Sequence, residues 1–324
     1  MVVKLELDIA SFNKNSKQTI GIYGVCGFIG SKLLGILLEK GYNVIGFDNL
    51  YKSIDSILDH FGNPRFKFEF CDISKDKDVI KSFENKMDGI ILLSGIVGLD
   101  ACDYNISLAS KVNDYGWANI AQYKPKNLKI VGASTGSVFG KVTDELCTED
   151  TKCNPLSHYG ITKLAGEKHI VNVGGVALRF ATAAGVSPKI RLNLLPNYLT
   201  HEAIHKQYLS VFQPDAMRTF IDIRDFCDSM IFCLENFDKL KYKIYNVGDE
   251  ANNWSKRQLV EYIQSKTNCK VDFGDSRIDN DFRDYAVCYD RIHEEGFKCK
   301  YKISDTIDQL LEVMPYVKIQ NPYT

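Results

Sequence analysis

Three glycines at three-residue spacing, Gly24, Gly27 and Gly30, stand between an apolar run, Thr19 to Tyr23, and an amphipathic one, Ser31 to Lys40. A strand that passes through glycines into a helix leaves backbone N–H groups bare at the positive end of that helix. A Cβ at any of the three positions would obstruct the turn, the ligand or the packing of helix on strand. The ligand that such a turn admits is a pyrophosphate. The triplet alone says little, because 23 glycines in 324 residues produce coincidences and many tight turns use glycine for positive φ. Its neighbours give it meaning: a second apolar run, Asn43 to Phe47, ends in Asp48, about twenty residues further on. A carboxylate there accepts hydrogen bonds from both hydroxyls of an adenosine ribose and repels a 2′-phosphate, so the cofactor reads as NAD rather than NADP.

The rest of the first half repeats this alternation. Apolar runs predict strands near 19–23, 43–47, 66–70, 89–93, 128–133 and 175–180, and helical patterns fall near 28–40, 75–85, 105–123 and 155–172. Alternation of this kind means a parallel sheet covered on both faces. Beyond residue 180 the pattern is less regular, with short helices near 193–206, 223–236, 255–267 and 303–314 and one strand, Lys243 to Val247, that can rejoin the main sheet. The expected architecture is α/β: a Rossmann-type doubly wound parallel sheet over residues 17–180, strand 243–247 returning to it, and a smaller C-terminal α/β substrate domain over 181–324. The substrate site is expected in the cleft between them. Residues 1–16 form an N-terminal extension that matches no recognisable pattern.

Bulk composition narrows the function. A chain that is 45% apolar and 25% charged is an ordinary globular protein, and 40 basic against 41 acidic residues provide no field for nucleic acid or an anionic membrane. The apolar residues of Met1 to Glu6 are broken by charge, and no run approaches the roughly twenty apolar residues of a membrane span, which points to the cytoplasm. The ten cysteines are spread from Cys26 to Cys299 without a CxxC pair, so they are expected reduced and mostly buried.

Chemistry enters with Tyr159-Gly160-Ile161-Thr162-Lys163. A spacing of four puts Tyr159 and Lys163 on one face of a helix, where an ammonium lowers a phenol pKa from about 10 and lets it exchange protons near neutrality. Strand 128–133 delivers Ala133-Ser134-Thr135-Gly136-Ser137 to the carboxyl edge of the sheet, where open α/β sheets bind ligands, and one of these hydroxyls can hold a substrate oxygen.

At these residues the chain resembles the extended short-chain dehydrogenase/reductase family, in the NAD-dependent epimerase/dehydratase group acting on nucleotide sugars. The resemblance spans roughly residues 19–315. It implies that Gly24, Gly27, Phe28 and Ile29 hold the pyrophosphate, Asp48 and Asn49 the ribose, Asp72 and Ile73 the adenine, and Leu93 and Ser94 the nicotinamide end. Asn113 corresponds to the structural or catalytic asparagine, and Thr135, five residues before Gly140, to the catalytic hydroxyl. Tyr159 and Lys163 fit YxxxK, with Lys163 also holding the cofactor ribose. On the substrate side the resemblance implies Ser134 and Thr135, Thr182 in place of an asparagine near the sugar phosphate, Asn193 and Leu194 on the nucleotide base, and Arg218 and Arg283 on ribose or phosphate. Arginine suits that work because its fork grips phosphate bidentately. Dehydratases of the group carry an acidic pair after the catalytic hydroxyl; Gly136 and Ser137 stand there instead, which argues against a 4,6-dehydratase.

The implied function is a nucleotide-sugar 4-epimerase working through a transient 4-keto intermediate. A net C4 dehydrogenase or reductase is the alternative, and a non-catalytic NAD-binding regulator is opposed by the intact Thr135, Tyr159 and Lys163. His201-Glu202-Ala203-Ile204-His205 satisfies HExxH, but its place after Asn193-Leu194 and the lack of a third ligand pattern argue against zinc, so no metal is expected. Surplus apolar positions in the helices near 105–123 and 155–172, namely Ile106, Leu108, Ile120, Ile161 and Leu164, predict a homodimer through paired helices.

Overall fold

The computed structural model describes residues 17–140, 142, 146–274 and 286–318. The first half runs β1 (Thr19–Tyr23), α1 (Phe28–Glu39), β2 (Asn43–Asp48), β3 (Phe66–Phe70), α2 (Asp76–Ser82), β4 (Gly89–Leu92), α3 (Leu99–Tyr104), α4 (Ile106–Ser110), a π turn (Lys111–Tyr115), α5 (Gly116–Tyr123), β5 (Lys129–Thr135), β6 (Leu146–Cys147), α6 (His158–Asn172) and β7 (Val176–Phe180). The second half continues with β8 (Thr182–Ala184), α7 (Leu195–His205), β9 (Tyr208–Phe212), β10 (Met217–Asp222), α8 (Ile223–Glu235), α9 (Phe237–Leu240) and β11 (Ile244–Val247). It closes with β12 (Asn253–Ser255), α10 (Lys256–Thr267), β13 (Lys270–Gly274), β14 (Ala286–Val287), α11 (Asp290–Glu294) and α12 (Ile303–Val313).

Seven parallel strands form the main sheet in the order β11-β7-β5-β4-β1-β2-β3. The period of two divides their side chains between two cores. Ile20, Ile22, Val44, Ile91, Val131 and Leu178 pack with Leu33, Leu34 and Leu37 of α1 and Met230 and Leu234 of α8. Tyr23, Ile45, Ile90, Leu92, Ile130 and Ala177 face Trp117 and Ile120 of α5 and Ile170 of α6 on the other side. Both faces are therefore covered, as an all-parallel sheet requires. Between β1 and β4 the strand order reverses, and this switch point opens a crevice at the carboxyl ends of the strands.

A third core, with Leu199, Ala203, Leu209, Val211, Phe220, Leu259, Ile263 and Ile307, lies in the second half of the chain, where β9 pairs with β13 and β10 with β8 and β12. These short strands are absent from the sequence reading. β9 alternates exposed and buried residues over five positions, too short a stretch to stand out beside the helices.

The helix expected over 105–123 runs without a gap from Ile106 to Tyr123, as α4, the π turn and α5. Asn105 leaves helical geometry (φ −142°, ψ 79°) and its side chain accepts the Leu108 N–H at 2.9 Å, so α4 starts afresh there. The π turn then inserts a residue before α5. The helix expected near 155–172 begins at His158, because the Ser157 hydroxyl caps it through the Gly160 N–H. Ile120, read as surplus surface, is wholly buried in the core, whereas Ile106 and Ile161 are 56% and 49% exposed. All ten cysteines are free, and seven are buried.

Candidate active site

The cofactor end is built from backbone. Gly24 has φ +90°, and a Cβ on it would stand 2.8 Å from the Ser94 nitrogen; one on Gly30 would stand 2.1 Å from the Gly24 carbonyl oxygen. These two glycines let β1, the β4 end and α1 close on each other. Gly27 is the least hindered of the three, its nearest neighbour being the Gly24 oxygen at 3.3 Å. It starts α1 in extended geometry; no side chain caps that helix and no acid stands in the first turn, where Phe28 and Ile29 lie. The positive helix end is thus left for an external anion.

At the end of β2, Asp48 accepts the Cys26 N–H on Oδ2 (3.1 Å) and the Leu50 N–H on Oδ1 (2.9 Å). Burial pushes its carboxyl above the usual range, and these backbone donors oppose the rise. The glycine turn and the ribose acid are therefore one hydrogen-bonded unit, and both fit NAD. Asn49 accepts the Tyr51 N–H at 3.1 Å. Asp72 accepts the Ser74 N–H and hydroxyl, which ties its Oδ1 to the turn entering α2, and Ile73 is buried beneath Gly116 of α5. Leu93 continues β4 through its N–H to the Tyr23 carbonyl.

Asn113 is engaged by the protein itself. Wholly buried in the π turn, its Oδ1 accepts the Ile96 N–H at 2.8 Å, and its amide donates to the Ile96 carbonyl (2.9 Å) and Thr162 Oγ1 (3.1 Å). With both donors used, Asn113 clamps the loop after β4 to α6.

Three elements meet at the reacting end. Thr135 closes β5, and its Oγ1 accepts the Ser137 N–H at 3.2 Å. Tyr159 and Lys163 lie on successive turns of α6. Gly160 permits the approach: a Cβ there would be 2.6 Å from the Ser137 carbonyl oxygen. Lys163 is almost entirely buried, and desolvation pulls its ammonium down to about 7, against the opposing pull of Glu167 and Cys102. The Ser134 hydroxyl donates to Glu167 Oε2 at 2.8 Å. Glu167 in turn holds Arg179 through two bonds, Nε at 3.0 Å and Nη2 at 2.7 Å. Gly160 and Glu167, both within the YxxxK neighbourhood, escaped the sequence reading.

Residues 20–248 match the NAD dependent epimerase/dehydratase family. The chain belongs to that family. Among its relatives is UDP-glucose 4-epimerase 2 of Arabidopsis thaliana, 26% identical over 292 residues, which cover 78% of this chain and 82% of that protein. Two solved structures share the fold. Pal from Bacillus thuringiensis is 20% identical with a TM-score of 0.82, covering 93% of this chain and 100% of that one. UDP-glucuronic acid 4-epimerase from Bacillus cereus, in complex with UDP-glucuronic acid and NAD, is 22% identical with a TM-score of 0.81, covering 92% and 99%. The protein is therefore an NAD-dependent enzyme of the sugar epimerase/oxidoreductase kind, built on a Rossmann-type sheet.

In this epimerase/dehydratase-family enzyme the substrate-side residues scatter over the second half. Thr182 opens β8 directly after β7, Leu194 caps α7, and Arg218 is buried on β10. Asn193 accepts the Arg191 Nε–H at 2.7 Å, and Arg191 also donates to the Val97 carbonyl at 2.9 Å. Arg191 thus links the loop before α7 to the loop after β4, a link no motif announced. Arg283 lies outside the described residues, as does the extension 1–16. The HExxH residues sit on α7 in a packing role: Glu202 pairs with Lys206 at 2.6 Å and His205 Nε2 lies 2.9 Å from the Met314 carbonyl. Among the described residues no helix is long and apolar enough to cross a membrane.

Glu167→Ala would strand the Arg179 guanidinium without its counter-charge and is expected to cost about 3–5 kcal/mol of stability in urea unfolding; a loss under about 1 kcal/mol would show the network to be dispensable. If Asp48 at the end of β2 takes the ribose hydroxyls, as the resemblance implies, calorimetry should find NAD the tighter ligand, and tighter binding of NADP would contradict the assignment.

Proposed function

We propose that this enzyme is a nucleotide-sugar 4-epimerase, and the observation that carries the reading is the close approach of α6, which bears Tyr159 and Lys163, to the turn that follows Thr135 at the end of β5. Tyr159 takes the proton of the sugar 4-hydroxyl, and Lys163, as an ammonium, stabilises the phenolate that proton transfer requires. Thr135 orients the same oxygen. NAD, when bound, supplies the capacity to accept hydride from C4 and return it. Gly136 and Ser137 offer no acid or base for removing water, which disfavours dehydration; a 4-keto sugar that turns and takes hydride back on its other face becomes the epimer, and one that leaves makes the net reaction a C4 oxidation. The relative named for UDP-glucose makes a uridine diphosphate sugar the first substrate to try. Mass spectrometry of the nucleotide sugar that co-purifies identifies both base and sugar.

The same helices support assembly. Tyr104, Ile106, Tyr115 and Ile161 are exposed on α3, α4, the π turn and α6, an apolar surface beside the helix that holds Tyr159 and Lys163. Pairing of these helices across a two-fold axis buries it, and an isologous dimer is the commonest closed assembly.

Tyr159→Phe should retain NAD and lose turnover about 10²- to 10⁴-fold, the usual contribution of one general acid/base; turnover within about tenfold of wild type would remove Tyr159 from the mechanism. Light scattering at micromolar concentration should give twice the chain mass, and a monomer mass with full activity would assign the exposed residues no role in assembly.

A further inference from the structure

Lys163 has one neighbour that neither the family motif nor the charge pattern explains. The Trp117 ring lies under its ammonium, Nζ standing 4.0 Å from the ring centroid. Trp117 is wholly buried, and its indole N–H donates to the Ser94 carbonyl at 3.0 Å. The slot that accepts this ring is cut from two other elements. A Cβ on Gly132 of β5 would lie 2.9 Å from the indole, and one on Gly166 of α6 would lie 3.0 Å from it. Ile170 Cδ1 comes closer still to Gly132, and the Asn113 carbonyl oxygen to Gly166, so the two glycines make room for those atoms as well as for the ring that sits against the buried cation.

The groups around that cation do not neutralise it by themselves. Glu167, one turn along α6, is shared with Arg179 and Ser134. Cys102 of α3 acts on Lys163 as well, but its thiol is pushed up to about 11 by burial and stays neutral. Tyr159 lies one turn earlier on α6, and Arg191, on the loop before α7, adds a like charge beside Tyr159 and Cys102. The indole face offers negative potential without a titrating group.

We propose that Trp117 is a positioning residue for Lys163: its ring holds the ammonium in the charged form, and its N–H to Ser94 fixes that ring against the strand end beside which the nicotinamide is placed. The inference rests on the role given to Lys163 above, but its contact with Trp117 is measurable without turnover. Removing the ring face destabilises the ammonium, so Lys163 loses its proton at lower pH, and the alkaline limb of a rate profile that needs that ammonium moves the same way.

The test is the titration of Lys163 followed by carbon NMR at its Cε, assigned by its disappearance in Lys163→Met. Progressively fluorinated tryptophan keeps the indole shape while draining its face. Trp117 and Trp254 are the two tryptophans of the chain, so a Trp117→Phe protein labelled only at Trp254 is the control. We expect the Lys163 midpoint to fall by about one pH unit along the fluorine series and to stay fixed in the control. Trp117→Leu should lower it similarly, and Trp117→Phe should restore most of the loss. A midpoint that does not move along the series overturns the proposal even where Trp117→Leu fails to fold. If the midpoint moves but the alkaline limb of turnover does not, the contact stands and the role of Lys163 in catalysis is what fails.

Discussion

A lysine ammonium held out of water is the constraint around which this site is organised. Burial costs the charged form of Lys163 enough to bring it down to about 7, so the fold must repay the charge or lose it. The nearest carboxylate, Glu167, is committed to Arg179 by two bonds. What results is a cation that is surrounded but incompletely neutralised, in a medium where its field is little screened. A phenol one helical turn away feels such a cation more strongly than it would at a surface. The glycines at 160 and 166 serve the same end, since they let α6 lie close to the loop after β5 and to α5.

The two ends of the crevice are made of different materials. The pyrophosphate end is backbone: a positive φ at Gly24, contacts at Gly30 that exclude a Cβ, and a helix start without a cap. The reacting end is side chain, held by the Ser134-Glu167-Arg179 network and the Asn113 clamp. A backbone site demands glycine at set spacings and a carboxylate at the next strand end, whatever the remaining sequence. A side-chain site demands only partners that find one another in space.

That difference governs what the sequence discloses. The seven strands of the main sheet, the glycine turn, Asp48 and the Tyr159/Lys163 spacing were legible because each is a local pattern with a period or a fixed offset. The bond that Ser134 makes was not legible because its partner, Glu167, is 33 residues away. The clamp made by Asn113 was not legible because its bonds reach 17 residues back to Ile96 and 49 forward to Thr162. The short helix α3 and its separation from α4 were hidden for another reason: Asn105 is a tolerable helix residue, and only its side-chain bond to Leu108 makes it a cap. The second half was least legible, since its strands beyond the main sheet are two to six residues long and its links, such as Arg191 to Val97, join loops.

The π turn shows how closely these features depend on one another. Asn113 reaches Thr162, and four residues on, Trp117 reaches Lys163, the residue next to Thr162. One extra residue in a helix rotates everything after it by about 100° relative to what precedes it. Without that residue, α4 and α5 could not both keep their present faces, one toward solvent with Ile106 and the other toward the sheet with Trp117 and Ile120. The irregular turn therefore reconciles two demands on a single helical stretch: an apolar outer face at its start, and a packed inner side beyond it that brings an amide and an aromatic ring to adjacent residues of α6. A regular helix there would satisfy local hydrogen bonding better and would have to give up one of the two.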